Sequence, residues 1–299
     1  MSKPTPHKKK PVARRRQNTT NRPSAVLRVN SGRGSAAQAP SAPKGRKQQA
    51  LTSSGVQLIP IPVTREVRPG DPLADILLES LPQTLEPGDI LILKHKVVSK
   101  AEGRLVDLAT IQPSEESSAW AKLYSLDARV IELGLRESRA VIRRKNGVLI
   151  TETRHGFICA NSGVDVSNVD GGRHALLLPD DADRSAANLR RQIKKRTGIV
   201  VPVIITDSFG RPWRQGLTEF AIGIAGMKAL RDERGRRDSH GYRLRASVEA
   251  VADELACAAG LVCGKLNRAP ACIVRGFRYE LGHGGVKDML RPAATDLFR

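Results

Sequence analysis

Apolar residues in this chain gather into short runs separated by polar, glycine-rich stretches, and the runs change period from one to the next. Residues 56–63 alternate poorly and contain two prolines, which predicts an edge strand or extended segment. Asp71 followed by Pro72 predicts a short helix to Ser80, with the Asp as N-cap and the Pro at the first helical position. Residues 89–93 read as a buried strand that runs into a polar stretch ending at Arg104. One long helix is expected from Glu115 to Leu133. Two strands, 139–144 and 147–153, flank an Asn146-Gly147 hairpin signal. Residues 175–179 form another strand, residues 183–197 a helix with Gly198 as C-cap, and residues 200–205 a strand. Glycines punctuate residues 219–230 and leave them ambiguous between strand and loop. An alanine-rich helix over 248–262 and a strand over 271–275 complete the pattern. Strands and helices mix without strict alternation, so the fold class is α+β with mixed sheets.

Composition changes this picture at one end of the chain. Of 299 residues, 50 are Lys or Arg and 30 are Asp or Glu, a net charge of +20. Residues 1–55 carry 13 of the basic residues and no acid, which leaves +7 on residues 56–299. The first segment has little to bury and is expected to be a disordered basic arm ahead of one ordered domain. Such an arm suits nonspecific nucleic-acid or acidic-surface binding, and equally a solvated tail. An organelle transit peptide ranks lower, because no clear amphipathic helix stands there. No apolar run is long enough to span a membrane. The four cysteines, Cys159, Cys257, Cys263 and Cys272, form no C-x-x-C pair and have no His at ligand spacing. They read as reduced residues of a cytoplasmic protein.

Candidate chemistry concentrates in two stretches. Asn161-Ser-Gly-Val-Asp-Val-Ser-Asn168 and Thr206-Asp-Ser-Phe-Gly-Arg-Pro-Trp-Arg214 each set an Asp among small polar residues after an apolar run. Carboxylates with hydroxyl or amide oxygens are the ligands of a hard divalent cation, which usually shares them with substrate phosphates. Singly, Asp165 and Asp207 read as turn residues; together they read as loops of a metal-phosphate site. Lys100 and Arg104 could meet phosphate or carboxylate, or merely solvate a helix start. Arg211 and Arg214 flank Trp213, which suits either an anionic substrate with a flat ring or a core anchor. Gly260-Leu-Val-Cys-Gly-Lys-Leu266 fails as a P-loop, with three residues between its glycines and Leu where Ser or Thr should stand. His155 and His283 have no partner visible in sequence. The run Arg231 to Asp238 reads as a solvated charge cluster or a substrate-facing lid.

Five stretches carry a family resemblance: Lys96-Val-Val-Ser-Lys-Ala-Glu-Gly-Arg104, residues 154–168, Asp207-Ser-Phe-Gly-Arg-Pro-Trp-Arg214, Asp253-Glu-Leu-Ala-Cys-Ala-Ala259 and Asp296-Leu-Phe-Arg299. They resemble the GTP-dependent coenzyme F420:L-glutamate ligases, from about Val56 to the C-terminus. The resemblance implies an intertwined homodimer with a mixed α/β fold, whose cleft holds GTP and two divalent cations, Mg²⁺ or Mn²⁺, with K⁺ a further candidate. It implies metal aspartates at Asp165 and Asp207, with Ser208 serving the second metal, and a catalytic role for Lys100, Asp165 and Asp207. Nucleotide contacts would fall on Thr64, Arg65, Glu66, Val67, Lys100, Asn168, Gly264 and Lys265. Three positions depart from the family pattern. Residues 63–66 read Val-Thr-Arg-Glu where Gly-Leu-Pro-Glu is common, His95 stands where relatives can have Ser, and Lys265 replaces a residue that can ligate metal in some relatives. The implied reaction activates a carboxylate of the deazaflavin F420-0 as an acyl phosphate and joins L-glutamate to it. The other readings are a related amide ligase acting on another carboxylate, and a nucleic-acid-binding protein led by its basic arm.

Overall fold

The computed structural model describes residues 55–167 and 169–297, all within one compact unit. The basic arm expected over 1–55 therefore lies almost wholly outside the described residues, as do Asn168 and the last two residues. In chain order the strands are β1 (Gln57–Ile61), β2 (Ile90–Lys94), β3 (Leu105–Asp107), β4 (Ser138–Lys145), β5 (Val148–Thr153), β6 (Ile158–Ala160), β7 (His174–Leu176), β8 (Val203–Arg211), β9 (Arg214–Ala225), β10 (Arg231–Asp232), β11 (Val248–Glu249) and β12 (Ala271–Arg275). The helices are α1 (Leu73–Glu79), α2 (His95–Ala101), α3 (Glu115–Tyr124), α4 (Ala128–Arg136), α5 (Ala182–Thr197) and α6 (Val251–Cys263).

A five-stranded sheet in the order β1-β12-β2-β8-β9 forms the centre. Neighbours are antiparallel except β2 and β8, which run parallel. One face packs Leu91, Leu93, Val203 and Ile205 against α1, α2 and α5; the other packs Ile90, Ile92 and Ile204 against α6. Helices on both faces explain why β2 reads as a continuous apolar run. β1, with Pro60 within it, is an edge strand as its prolines demand. Smaller sheets, β4-β5-β6 and β3-β7, lie beside this core, and the whole is an α+β fold with mixed sheets.

The Asn146-Gly147 turn joins β4 and β5 with φ of 51° and 75°, the left-handed pair that a two-residue hairpin requires. Gly198 caps α5 in the left-handed conformation, its N–H on Lys194 O. Three expectations need correction. α1 starts at Leu73, and Asp71 instead accepts the N–H of Arg68 and pairs with Arg65 at 2.6 Å. The single helix expected over 115–133 is two, broken at Ser125 (φ 55°), with Asp127 capping α4 through the N–H of Arg129. A straight helix would hold positions 121 and 131 about 15 Å apart along its axis; the break lets Ala121 and Ile131 share one cluster with Leu149. β8 does not end at 205 but continues through Asp207 to Arg211 and returns as β9, so Asp207 lies on a strand rather than in a loop.

Candidate active site

β2 finishes at Lys94, opposite Thr206 of the parallel strand β8, which runs on past it. Ligand sites in α/β sheets gather outside the carboxyl ends of parallel strands, and the candidate residues lie there. The chain turns from Lys94 straight into α2, so His95 stands beside Asp207 and Lys96 beside Asp165. Side chains alternate along a strand: Ser208 shares a face with Ile204, towards α6, and Asp207 shares the opposite face with Ile205, towards α2.

On the α2 side, His95 is buried with its Nε2 3.3 Å from Asp207 Oδ1 and its Nδ1 3.2 Å from Ser99 Oγ. The Nε2 is close to the carboxylate but not aligned with it, and makes no hydrogen bond. Asp207 Oδ1 accepts the Ser208 N–H at 2.7 Å. The next residue, Lys96, sets its Nζ 2.6 Å from Asp165 Oδ2 and 2.8 Å from Ser167 Oγ. Burial pushes the Asp165 carboxyl up, but Lys96 and the Ser167 N–H outweigh it and hold the group below its ordinary value. Consecutive residues of one helix start thus stand against the two candidate carboxylates, Lys96 bonded to Asp165 and His95 merely close to Asp207.

On the α6 side, buried Glu219 of β9 gathers a network that sequence reasoning missed. Its Oε1 accepts Lys94 Nζ and Ser208 Oγ, each at 2.8 Å, and its Oε2 accepts Thr206 Oγ1 at 3.0 Å. Burial works against the charge, and the Lys94 ammonium with the two hydroxyls overcomes it, so the carboxyl stays below its usual range. Lys265 Nζ donates to Ser208 Oγ at 2.8 Å. Two glycines make this approach feasible. A Cβ on Gly260 would stand 2.6 Å from Glu219 Cγ, and Gly264, which ends α6, has a φ of +58°. The signal for Glu219 existed in sequence only as its alternation with Ala221, which becomes readable once β8 and β9 are known to pair Ser208 with Glu219.

A cleft of about 520 Å³ brings together Thr64, Arg65, Glu66, Val67, Lys100, Gly264 and Lys265, with Lys94 and Lys96 also on its wall. Lys100 forms an ion pair with Glu66. A second cleft of about 250 Å³ shares Lys94, Gly264 and Lys265 with the first and adds Ser208, Glu219 and Leu261. Of the expected site residues, Thr64, Arg65, Glu66, Val67, Lys100, Ser208, Gly264 and Lys265 line these clefts; Asp165 and Asp207 line neither and stand next to Lys96 and His95, and Asn168 is outside the described residues. Arg104 does not join them: it pairs with Asp180 at 3.0 Å and donates to Leu178 O. Trp213, 85% exposed at the turn between β8 and β9, is not a core anchor.

Among the described residues no three His, Cys, Asp or Glu side chains form a ready-made metal cage. Asp165 and Asp207 carry the donor chemistry of a hard cation, which takes one or two carboxylates and completes its shell with water and phosphate, and the consecutive residues His95 and Lys96 stand next to them. Ser208 fits less well as a ligand for another, since its oxygen receives the Lys265 ammonium and the adjoining Glu219 carboxylate is neutralised by Lys94.

Comparison with known proteins agrees over most of the chain. The family model for F420-0:gamma-glutamyl ligase matches residues 63–276. The coenzyme F420:L-glutamate ligase of Methanopyrus kandleri is 43% identical over 249 residues, 82% of this chain and 98% of that protein. Its namesake from Methanothermobacter thermautotrophicus is 42% identical over 82% of this chain and 99% of its own length, and that of Archaeoglobus fulgidus 39% over 82% and 96%. The alignments span nearly the whole of each relative, and the matched residues hold the strand ends, both clefts and all four site lysines; the chain belongs to the F420-0:gamma-glutamyl ligase family.

Proposed function

We propose that residues 56–299 form a GTP-dependent ligase domain that joins L-glutamate to the deazaflavin F420-0 by an amide bond, then extends the tail through γ-linkages. The observation that carries this reading is the convergence of Lys94, Lys96, Lys100 and Lys265 on one cleft beside Asp165 and Asp207. Nucleotide and acceptor are both anionic, and phosphoryl transfer depends mostly on positioning and neutralising such charges. The four ammonium groups offset the phosphates. Lys100, now held by Glu66, is placed to exchange that carboxylate for a phosphate oxygen. Asp165 and Asp207 would hold a Mg²⁺ or Mn²⁺ ion, which when bound supplies further neutralisation of the triphosphate.

The γ-phosphoryl group passes to the terminal carboxylate of F420-0, giving an acyl phosphate and GDP. The neutral α-amine of L-glutamate attacks the acyl carbon, phosphate departs with the C–O bonding pair, and the amine's proton is lost to leave an amide. This chemistry suits a cytoplasmic homodimer, the assembly the family resemblance implies. Incubation with GTP, Mg²⁺ or Mn²⁺, L-glutamate and F420-0, followed by mass measurement of the deazaflavin, tests the reading. A product heavier by one or more glutamyl units supports it; unchanged mass with every nucleotide overturns it.

A further inference from the structure

We infer that Lys265 acts as a resident cation at Ser208, so that this chain binds a single divalent metal ion per active site. The inference rests on the ligase reading and concerns only how positive charge is supplied beside Ser208. Three observations carry it. Ser208 Oγ donates to Glu219 Oε1 and accepts from Lys265 Nζ, each at 2.8 Å, so an ammonium already stands against the oxygen a second metal would use. Glu219, the carboxylate bonded to that hydroxyl, already accepts from Lys94, Thr206 and Ser208, and the Lys94 ammonium neutralises its charge. Around the Ser208 hydroxyl two ammonium groups therefore stand against one carboxylate, where a divalent ion needs anionic oxygens and would meet like charge.

Asp207 offers no escape from this, because strand alternation turns it to the opposite face, beside His95. Asp165 is likewise on that side, held by Lys96. Asp165 and Asp207 are thus the carboxylates offered to a hard cation, while on the α6 side Glu219 is neutralised by Lys94 and Asp253 accepts the Ala221 N–H. Lys265 also lines both clefts, so its ammonium can reach a phosphate oxygen from the position it already occupies. A lysine meets phosphate as a mobile point charge and needs no further ligands from the protein. The positive φ of Gly264 fixes where that lysine leaves α6, and a Cβ there would stand 2.8 Å from Asn267 Nδ2.

The test counts metal ions. The full-length protein is saturated with the β,γ-imido analogue of GTP, dialysed against Mn²⁺, and assayed for bound manganese by metal analysis and by electron paramagnetic resonance. The wild type is expected to hold one uncoupled Mn²⁺ per chain. Lys265→Gln, which removes the charge and offers an amide oxygen, is expected to gain a second ion with a spin-coupled signal, whereas Lys265→Arg stays at one. Two ions in the wild type overturn this inference while leaving the ligase reading intact. A single ion in both the wild type and Lys265→Gln overturns the role given to Lys265. No bound ion in any variant defeats the metal-nucleotide reading of the site as well, and circular dichroism separates that outcome from loss of fold.

Discussion

The two ends of the central sheet are built from the same kinds of side chain and do opposite things with them. Where β2 begins, the buried carboxylate of Asp89 takes two N–H groups of Arg275 at 2.8 Å each, and the Glu86 N–H at 2.8 Å. Arg275 spends its remaining donors on Thr84 O, Gln83 and Glu86. This end is saturated, with its carboxylate out of reach of solvent. Where β2 finishes, the carboxylates and ammonium groups line two clefts, and buried His95 keeps an Nε2 without a hydrogen bond. Buried polar groups are normally satisfied, so an exception at a cleft marks a place where structure was not the sole constraint. A clamp and a site differ here in saturation and access, not in composition.

The sharpest way to break the comparison is to exchange one group at each end and read both activity and stability. Asp207→Asn is expected to lower the rate of glutamyl addition by about 10²–10³-fold or more, the scale seen when one electrostatic contributor to a transition state is removed. Its melting temperature should stay near that of the wild type, because Asp207 pairs only with a misaligned imidazole and one N–H. Near-normal turnover would remove Asp207 from the chemistry. Arg275→Met should do the reverse. It strands the Asp89 carboxylate in the interior at a cost of about 3–5 kcal/mol, visible as an earlier denaturant midpoint, while the folded fraction keeps its turnover number. A stable Arg275→Met protein with reduced turnover would erase the distinction between the ends.

A smaller effect tests how the open end is positioned. Gly264→Ala forces a side chain into a left-handed conformation and against Asn267, a strain of about 1–3 kcal/mol. Because Lys265 follows it directly, KM for GTP should rise more than kcat falls. An unchanged KM alongside a lower melting temperature would make Gly264 a structural residue only.

How much of this was legible in the chain follows the same line between saturated and open regions. Elements with a local code were readable: the Asn146-Gly147 hairpin, the α5 stop at Gly198, the apolar β2. The break at Ser125 was not, since nothing in a helix-favouring stretch announces that Ala121 and Ile131 must meet on Leu149. The turn-forming neighbours of Asp207 favour a loop, whereas pairing with β9 overrides that preference. The site was legible as single motifs around Lys100, Asp165 and Asp207. Glu219 and Lys94 stayed hidden because they meet, 125 residues apart, only through β2 and β9 both pairing with β8, which no window of sequence displays.

A saturated carboxylate remote from the clefts offers the finest test of the comparison. Glu132 of α4 accepts the Ser114 N–H at 3.0 Å, the Ser114 and Ser117 hydroxyls at 2.8 and 2.9 Å, and the Arg136 guanidinium at 3.0 Å. The backbone and side chain of Ser114 contribute most, and together these donors pull the carboxyl from 4.5 down to about 2 against the opposing effect of burial. A depressed folded-state value means the stabilisation is fully present above pH 4.5 and is lost as the pH falls from there through about 2. Glu132→Gln should therefore be less stable than the wild type at neutral pH by about 1 kcal/mol, with glutamyl addition unchanged. As the pH drops through that window the two melting temperatures should converge. A constant offset down to pH 3 would show that the Glu132 charge contributes nothing to holding α4 on the Ser114 turn, and saturation would then no longer distinguish a structural carboxylate from a functional one.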